Sequence, residues 1–319
     1  MCRFQDTYSE KGRVKMLDDQ LQTPVLLIVY KRPETSRRVF ESIRKAKPKQ
    51  LFIAANAPKT SNADELANIA EVRAIVEAVD WDCEVQRLYR NVHLDAKTSI
   101  SSAIDWFFEN VEEGIVLEDD CLPHPSFFRF CEELLARYRH DDRIMMISGD
   151  NFYNGKRSYS YYFSHYVHIW GWASWRRAWK FYDVNMQAWP EIKQMNLLSG
   201  IFRTGQEAGY WEKIFDLVAS GKINTWDYQW SLTCFINNFV TILPSINLVS
   251  NIGFGNEATN TRDSEDQRGD MEAQEMQFPL CHPPYVIRDA DAENYTYTNL
   301  LMKPLSARII NRIRSLCFG

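Results

Sequence analysis

Short apolar runs alternating with amphipathic stretches set out the first half of the chain. Pro24-Val25-Leu26-Leu27-Ile28-Val29-Tyr30 is compact, rich in branched side chains and broken by Lys31-Arg32-Pro33, so it predicts a buried central strand. Thr35 or Ser36 is placed to cap a helix whose apolar positions Val39, Phe40 and Ile43 repeat at helical spacing until Pro48. A second strand over residues 51–56, a helix over about 64–79 and a third strand around 83–88 follow. Residues 99–110 then gather Ile100, Ala103, Ile104, Phe107 and Phe108 on one helical face, and Ile115-Val116-Leu117 reads as a fourth strand. Strand and helix in regular alternation predict an α/β, Rossmann-like fold: a mostly parallel central sheet flanked by helices in a single large domain.

The pattern loosens afterwards. Phe127-Phe128-Arg129-Phe130 opens an apolar helix and residues 144–151 return as a strand. The aromatic stretch from Tyr159 through His168-Ile169-Trp170-Gly171-Trp172-Ala173-Ser174-Trp175 shows no regular period and reads as irregular. Residues 1–21 are polar and patternless, and residues 263–319 read as a charged linker with an amphipathic tail. The domain is therefore expected over 22–262, with 22–122 as one half and 123–262 as the other. Over 305–318 basic and apolar residues alternate at helical spacing, which suits either docking on the domain or peripheral contact with an anionic membrane.

Composition narrows the class. With 45% hydrophobic residues the chain can build a sizeable core, and a net charge of −5 argues against a nucleic-acid partner. Seven cysteines, with no Cys-x-x-Cys pair, read as reduced thiols in a cytoplasmic protein. No run is long enough to span a membrane, and the first residues do not form a signal peptide.

Candidate chemistry concentrates where apolar runs end. Glu118-Asp119-Asp120 puts three mutually repelling carboxylates at the end of the fourth strand, a set that suits Mn²⁺ or Mg²⁺ held with a substrate phosphate; a solvated acidic turn is the plainer alternative. Ligands of parallel sheets bind at the carboxyl ends of strands, where Arg32 would meet a diphosphate and Asn56 a nucleobase. Asp227, inside Thr225-Trp226-Asp227-Tyr228-Gln229-Trp230, is either a helix cap or an acid presented to a substrate. Gly171 between Trp170 and Trp172 allows close backbone approach to a ligand, or makes an aromatic core turn.

Val-Tyr-Lys-Arg-Pro-Glu-Thr after strand one, Ala-Ala-Asn-Ala-Pro after strand two and Leu-Glu-Asp-Asp-Cys-Leu-Pro together resemble a nucleotide-sugar glycosyltransferase of the GT-A type. The order of acidic triplet, Trp-Gly-Trp and Trp-Asp-x-x-Trp is similar to the N-acetylglucosaminyltransferase I-like branch and to bacterial family 2-like enzymes. The resemblance covers roughly residues 23–262. It implies a DxD motif in which Asp120 bonds the metal, Asp119 lies near the ribose and metal, and Glu118 lies near the donor sugar. It also implies Trp172 at the donor, Arg32 and Lys97 at the leaving diphosphate and Asp227 as catalytic base. The implied donor is a UDP-sugar such as UDP-GlcNAc, and the acceptor a glycan or lipid-linked glycan in polysaccharide biosynthesis. Two positions depart from relatives: Asn56 stands where they carry aspartate, and Asn260 where related bacterial sequences carry histidine. A catalytically silent carbohydrate- or partner-binding protein, a sugar-nucleotidyltransferase and a glycosidase are the alternatives. No Gly-rich triphosphate loop favours the second, and the triplet's position at a sheet edge disfavours the last.

Overall fold

A computed structural model describes residues 20–253 and 271–301. The first half alternates as expected: β1 (Val25–Val29), α1 (Pro33–Ala46), β2 (Gln50–Ala55), α2 (Ala63–Glu77), β3 (Glu84–Tyr89), α3 (Ala96–Asn110) and β4 (Glu113–Glu118). Next come β5 (Cys121–Pro123), α4 (Pro125–Tyr138), β6 (Ile144–Ser148), β7 (Tyr161–Ser164), β8 (Trp172–Trp175) and the short α5 (Arg176–Trp179). The remaining elements are α6 (Trp189–Gln194), a 3₁₀ turn (Leu197–Gly200), α7 (Gly205–Ala219), α8 (Asp227–Ile236), β9 (Val240–Pro244), β10 (Val249–Asn251) and α9 (Ala290–Tyr295), with a last helical turn at Thr296–Leu301.

Eight strands form one sheet in the order β3-β2-β1-β4-β8-β6-β9-β7, and β5 pairs with β10 separately. β1 to β4 run parallel, β8 is antiparallel to both β4 and β6, and β6 runs parallel to β9. The α/β class and the mostly parallel sheet flanked by helices are therefore as the sequence implied. β1 is buried along its whole length because helices cover both faces: α1 packs Val39, Phe40 and Ile43 on one side, and α3 packs Ile104 and Phe107 on the other.

Five expectations need correction. Helix α1 starts earlier than a Thr35 or Ser36 cap would place it. Arg32 occupies the N-cap without a side-chain cap bond, and Pro33, whose missing N–H costs nothing there, sets the first turn. The aromatic stretch is not irregular throughout. Tyr161–Ser164 and Trp172–Trp175 are sheet strands, and both bury every residue, so no polar alternation marked them.

The segment after 262 is not all linker and tail. Residues 271–301 dock on the domain, where Asp289 N–H donates to Phe163 O at 2.8 Å, and Met276, Leu280, Ala292 and Tyr297 are buried. Cys83, Cys121, Cys131 and Cys234 are free, but Cys281 is disulfide-bonded, a pairing that local spacing could not reveal. Leu21 is buried in the core and bonds Ala46 O at 3.1 Å. Among the described residues no helix is long and apolar enough to cross a membrane. Asn260 and the amphipathic stretch 305–318 lie outside the described residues.

Candidate active site

Because β1, β2, β3 and β4 are parallel, their carboxyl ends share one edge of the sheet. Arg32 follows β1, Asn56 follows β2, and the triplet begins with the last residue of β4. β6 points the same way: Val116 pairs with Trp172 and Trp172 with Ser148, so Asp150 leaves the sheet at this edge too.

Arg32 organises the acids. Its guanidinium pairs with Asp119 through one nitrogen and with Asp120 Oδ2 at 2.9 Å through the other. Asp119, only 3% exposed, also accepts the Tyr30 N–H at 3.2 Å, so it ties the end of β4 to the end of β1. Burial works against the Arg32 charge, but the two carboxylates outweigh it and hold the guanidinium above the ordinary arginine range. Glu118 is less fortunate: burial, then the charges of Asp120, Asp119 and more distantly Asp227, push its carboxyl up to about 8 against the relief from Arg32. One cation does not neutralise three acids.

Trp172 brings the second motif to the first: it pairs with Val116 of β4, and its ring stacks on Trp226, the residue before Asp227. Asp227 is the first residue of α8, with Trp226 at the N-cap, so the helix begins at the acid. Three contacts fix this loop. Thr225 Oγ1 donates to Asp227 Oδ1, Tyr182 Oη donates to Trp226 O at 3.1 Å, and the Trp226 ring stacks on Trp172 with centroids 5.7 Å apart.

Trp172 itself is 1% exposed and packs against Trp179, Trp226 and Trp230, so its indole is a wall behind the site rather than a surface of it. Gly171 has φ +60°, and a Cβ there would sit 2.9 Å from Val249 Cγ2. Its glycine serves the packing of β10 against the sheet.

Asn56 is buried and engaged. Its Nδ2 donates to Leu94 O at 2.8 Å, while Oδ1 accepts from Leu94 N–H at 3.1 Å and Ala57 N–H at 2.9 Å. Lys97 lies in the first turn of α3, its N–H donating to Asn224 Oδ1 at 3.0 Å. Among the described residues no group of three or more His, Cys, Asp or Glu side chains forms a metal cage by itself.

Sequence reasoning missed several participants. Asn224 reaches Asp95 Oδ1 at 2.8 Å across 129 positions of sequence, a separation no local pattern encodes. Asp150, 1% exposed, accepts from Ser148 Oγ at 2.9 Å and Trp170 N–H at 3.2 Å; its place inside Ser-Gly-Asp-Asn after a strand was the available signal. Nothing in the local pattern singled out Gly253, yet Ile252 N–H bonds Asp120 O at 2.8 Å and brings that glycine against the Asp120 side chain.

No protein-family model matches the chain, and no curated protein does. Solved structures give distant likenesses. UDP-glucose pyrophosphorylase in complex with UDP-glucose is 13% identical over 45% of this chain and 62% of its own, with a TM-score of 0.27. Residues 1–349 of S. aureus TarS are 8% identical over 72% of this chain and 59% of that one, with a TM-score of 0.39. The galactosyltransferase LgtC, in complex with donor and acceptor sugar analogues, is 10% identical over 92% and 95%, with a TM-score of 0.34. The chain thus spans less than two thirds of the first two. At such identities and TM-scores none of these likenesses bears on function or on individual residues.

Proposed function

We propose that the chain is a metal-dependent, inverting glycosyltransferase that moves a sugar from a nucleotide diphosphate donor, a UDP-sugar such as UDP-GlcNAc, to a glycan or lipid-linked hydroxyl. One observation carries the reading: Trp226, next to the candidate base Asp227, stacks on Trp172, which pairs with β4 at Val116, two residues before Glu118. The likeness in motif order gives the two motifs their chemical roles.

A divalent cation fits the residues present. Two of the three carboxylates share one guanidinium, Glu118 has no cation paired with it among the described contacts, and hard oxygen donors from one or two of the acids suit Mn²⁺ or Mg²⁺ when phosphate and water complete the shell. Asp120 would hold it, and when bound it would neutralise charge on the leaving diphosphate. Arg32, at the N-terminus of α1, would pair with diphosphate oxygens as it now pairs with carboxylates, with Lys97 assisting. Glu118 would bond a donor-sugar hydroxyl. Asp119 would set the β1–β4 edge near the ribose, Asn56 would shape the nucleobase end through the Leu94 turn, and Trp172 would back the donor pocket.

Asp227 would take the acceptor hydroxyl's proton as that oxygen bonds the anomeric carbon and the bond to the diphosphate oxygen breaks. A single displacement inverts the anomeric centre. The test is thermal unfolding with a panel of nucleoside diphosphates, nucleoside triphosphates and nucleotide sugars, with and without Mn²⁺. A ligand at about a hundred times its Kd adds about 2.7 kcal/mol. The reading expects a shift that needs one nucleotide and the metal together; no shift with any nucleotide overturns it, and a shift with nucleoside triphosphate alone points to nucleotidyl transfer.

A further inference from the structure

The loop that carries Asp227 is hung from a different part of the sheet edge. At the end of β2, Asn56 clasps both backbone groups of Leu94, with bonds of 2.8 and 3.1 Å. The next residue, Asp95, is the N-cap of α3 and accepts the Thr98 N–H at 3.2 Å. Asn224 then bridges the gap with both ends of its amide: Nδ2 donates to Asp95 Oδ1 at 2.8 Å, and Oδ1 accepts the Lys97 N–H at 3.0 Å. The neighbouring Thr225, which is buried, donates to the Asp227 carboxylate. A continuous series of short, oriented bonds therefore runs from β2 through the cap of α3 to the acid at the start of α8.

The geometry points to Asn224 as a positioning residue that fixes the candidate base Asp227 relative to the donor half through the N-terminus of α3; this rests on the transferase reading above. An amide is suited to the task because it offers a donor to a carboxylate and an acceptor to an N–H within one plane. A displacement of about 1 Å at a reacting group can cost on the order of a hundredfold in rate, so a two-bond clasp this close to the base is a lever on turnover. Neither Asp95 nor Asn224 touches the acidic triplet in any described contact, so the metal-dependent part of donor binding should not depend on them.

The test is a double-mutant cycle on the full chain, following transfer, the donor Kd in the presence of Mn²⁺, and thermal unfolding. Asn224→Ala is expected to lower kcat by about tenfold or more with the Mn²⁺-dependent gain in donor affinity within about twofold of the parent's, and to have no further effect in an Asp227→Ala background, because it acts through that carboxylate. Asn224→Asp, which keeps an acceptor for the Lys97 N–H and loses the donor to Asp95, should also lower kcat and serves if the alanine variant does not fold. An equal loss from Asn224→Ala in both backgrounds overturns the inference, as does unchanged kcat. If Asp227→Ala itself leaves turnover intact, the base assignment fails instead, which is a different result from an inert Asn224.

Discussion

Arg32 Nη1 lies 2.9 Å from Asp120 Oδ2 while the other terminal nitrogen pairs with Asp119, so one guanidinium serves two carboxylates. The Asp119 side chain is 4% exposed and the Arg32 side chain 21%. Arg32→Ala leaves Asp119 buried with only the Tyr30 N–H, and breaking such a pair costs about 3–5 kcal/mol. The residual exposure of Arg32 puts the expected loss near the lower figure. Added Mn²⁺ should recover more stability in the variant than in the parent, since a cation replaces the missing charge. Urea unfolding of both proteins, with and without Mn²⁺, reads this directly; equal stabilities would mean that water already compensates Asp119.

Asp227→Asn keeps the shape of the α8 N-terminus and removes the proton acceptor. General-base contributions are worth about 10²–10⁴-fold, so transfer should fall in that range with the donor Kd unchanged. Asp120→Asn should do the opposite, abolishing the Mn²⁺-dependent part of donor binding. Isothermal titration of donor against each variant separates the two, and a loss of donor affinity in Asp227→Asn would contradict a role confined to the acceptor proton.

How much of this was legible in the sequence follows from the range of the interactions. β1, β2 and β4 are runs of four or more buried apolar residues ended by Pro, Asn or acid, and such runs declare themselves locally. The triplet and Asp227 stood out because charge inside apolar surroundings is unusual. β7 and β8 did not stand out: Tyr161, Tyr162 and Phe163 are buried on both faces of the sheet, which erases the period of two. The Asn224–Asp95 bond and the docking of Glu293 beneath His165 join residues more than a hundred positions apart, and only the fold sets them side by side.

Gly253 gives a third prediction. A Cβ at that position would lie 2.8 Å from Asp120 Cβ and 2.9 Å from Arg32 Nη1, closer than packed atoms come. Gly253→Ala must therefore push Asp120 aside, and its carboxylate with it. The metal-dependent affinity for donor should weaken by about tenfold or more, a cost of about 1.4 kcal/mol. Global stability should change little, since Arg32 and Asp120 are partly exposed and can give way. Donor titration at several Mn²⁺ concentrations would show the loss; an affinity equal to the parent's would mean that Asp120 tolerates displacement.

His165 predicts a pH dependence that is independent of catalysis. The ring is buried beside Phe202 and Phe235, its Nδ1 lies 2.7 Å from Arg288 Nη1, and the backbone N–H of His165 donates to Glu293 Oε1 at 2.9 Å. Burial above all, then the charges of Arg288 and Arg203, bring the imidazole from its ordinary 6.5 down to about 3. The unfolded chain therefore takes up the proton first. The stability of the neutral ring is fully present above about pH 6.5 and drains as pH falls toward 3, at about 1.4 kcal/mol per pH unit, or about 2 kcal/mol by pH 5. Glu293 acts in the opposite sense at lower pH, because burial raises its carboxyl and the folded form gains from protonation. Unfolding free energies between pH 7 and 5 should consequently fall less steeply in His165→Asn than in the parent, by about 2 kcal/mol across the range. Parallel curves would show that the imidazole titrates in the folded protein as it does in the unfolded chain.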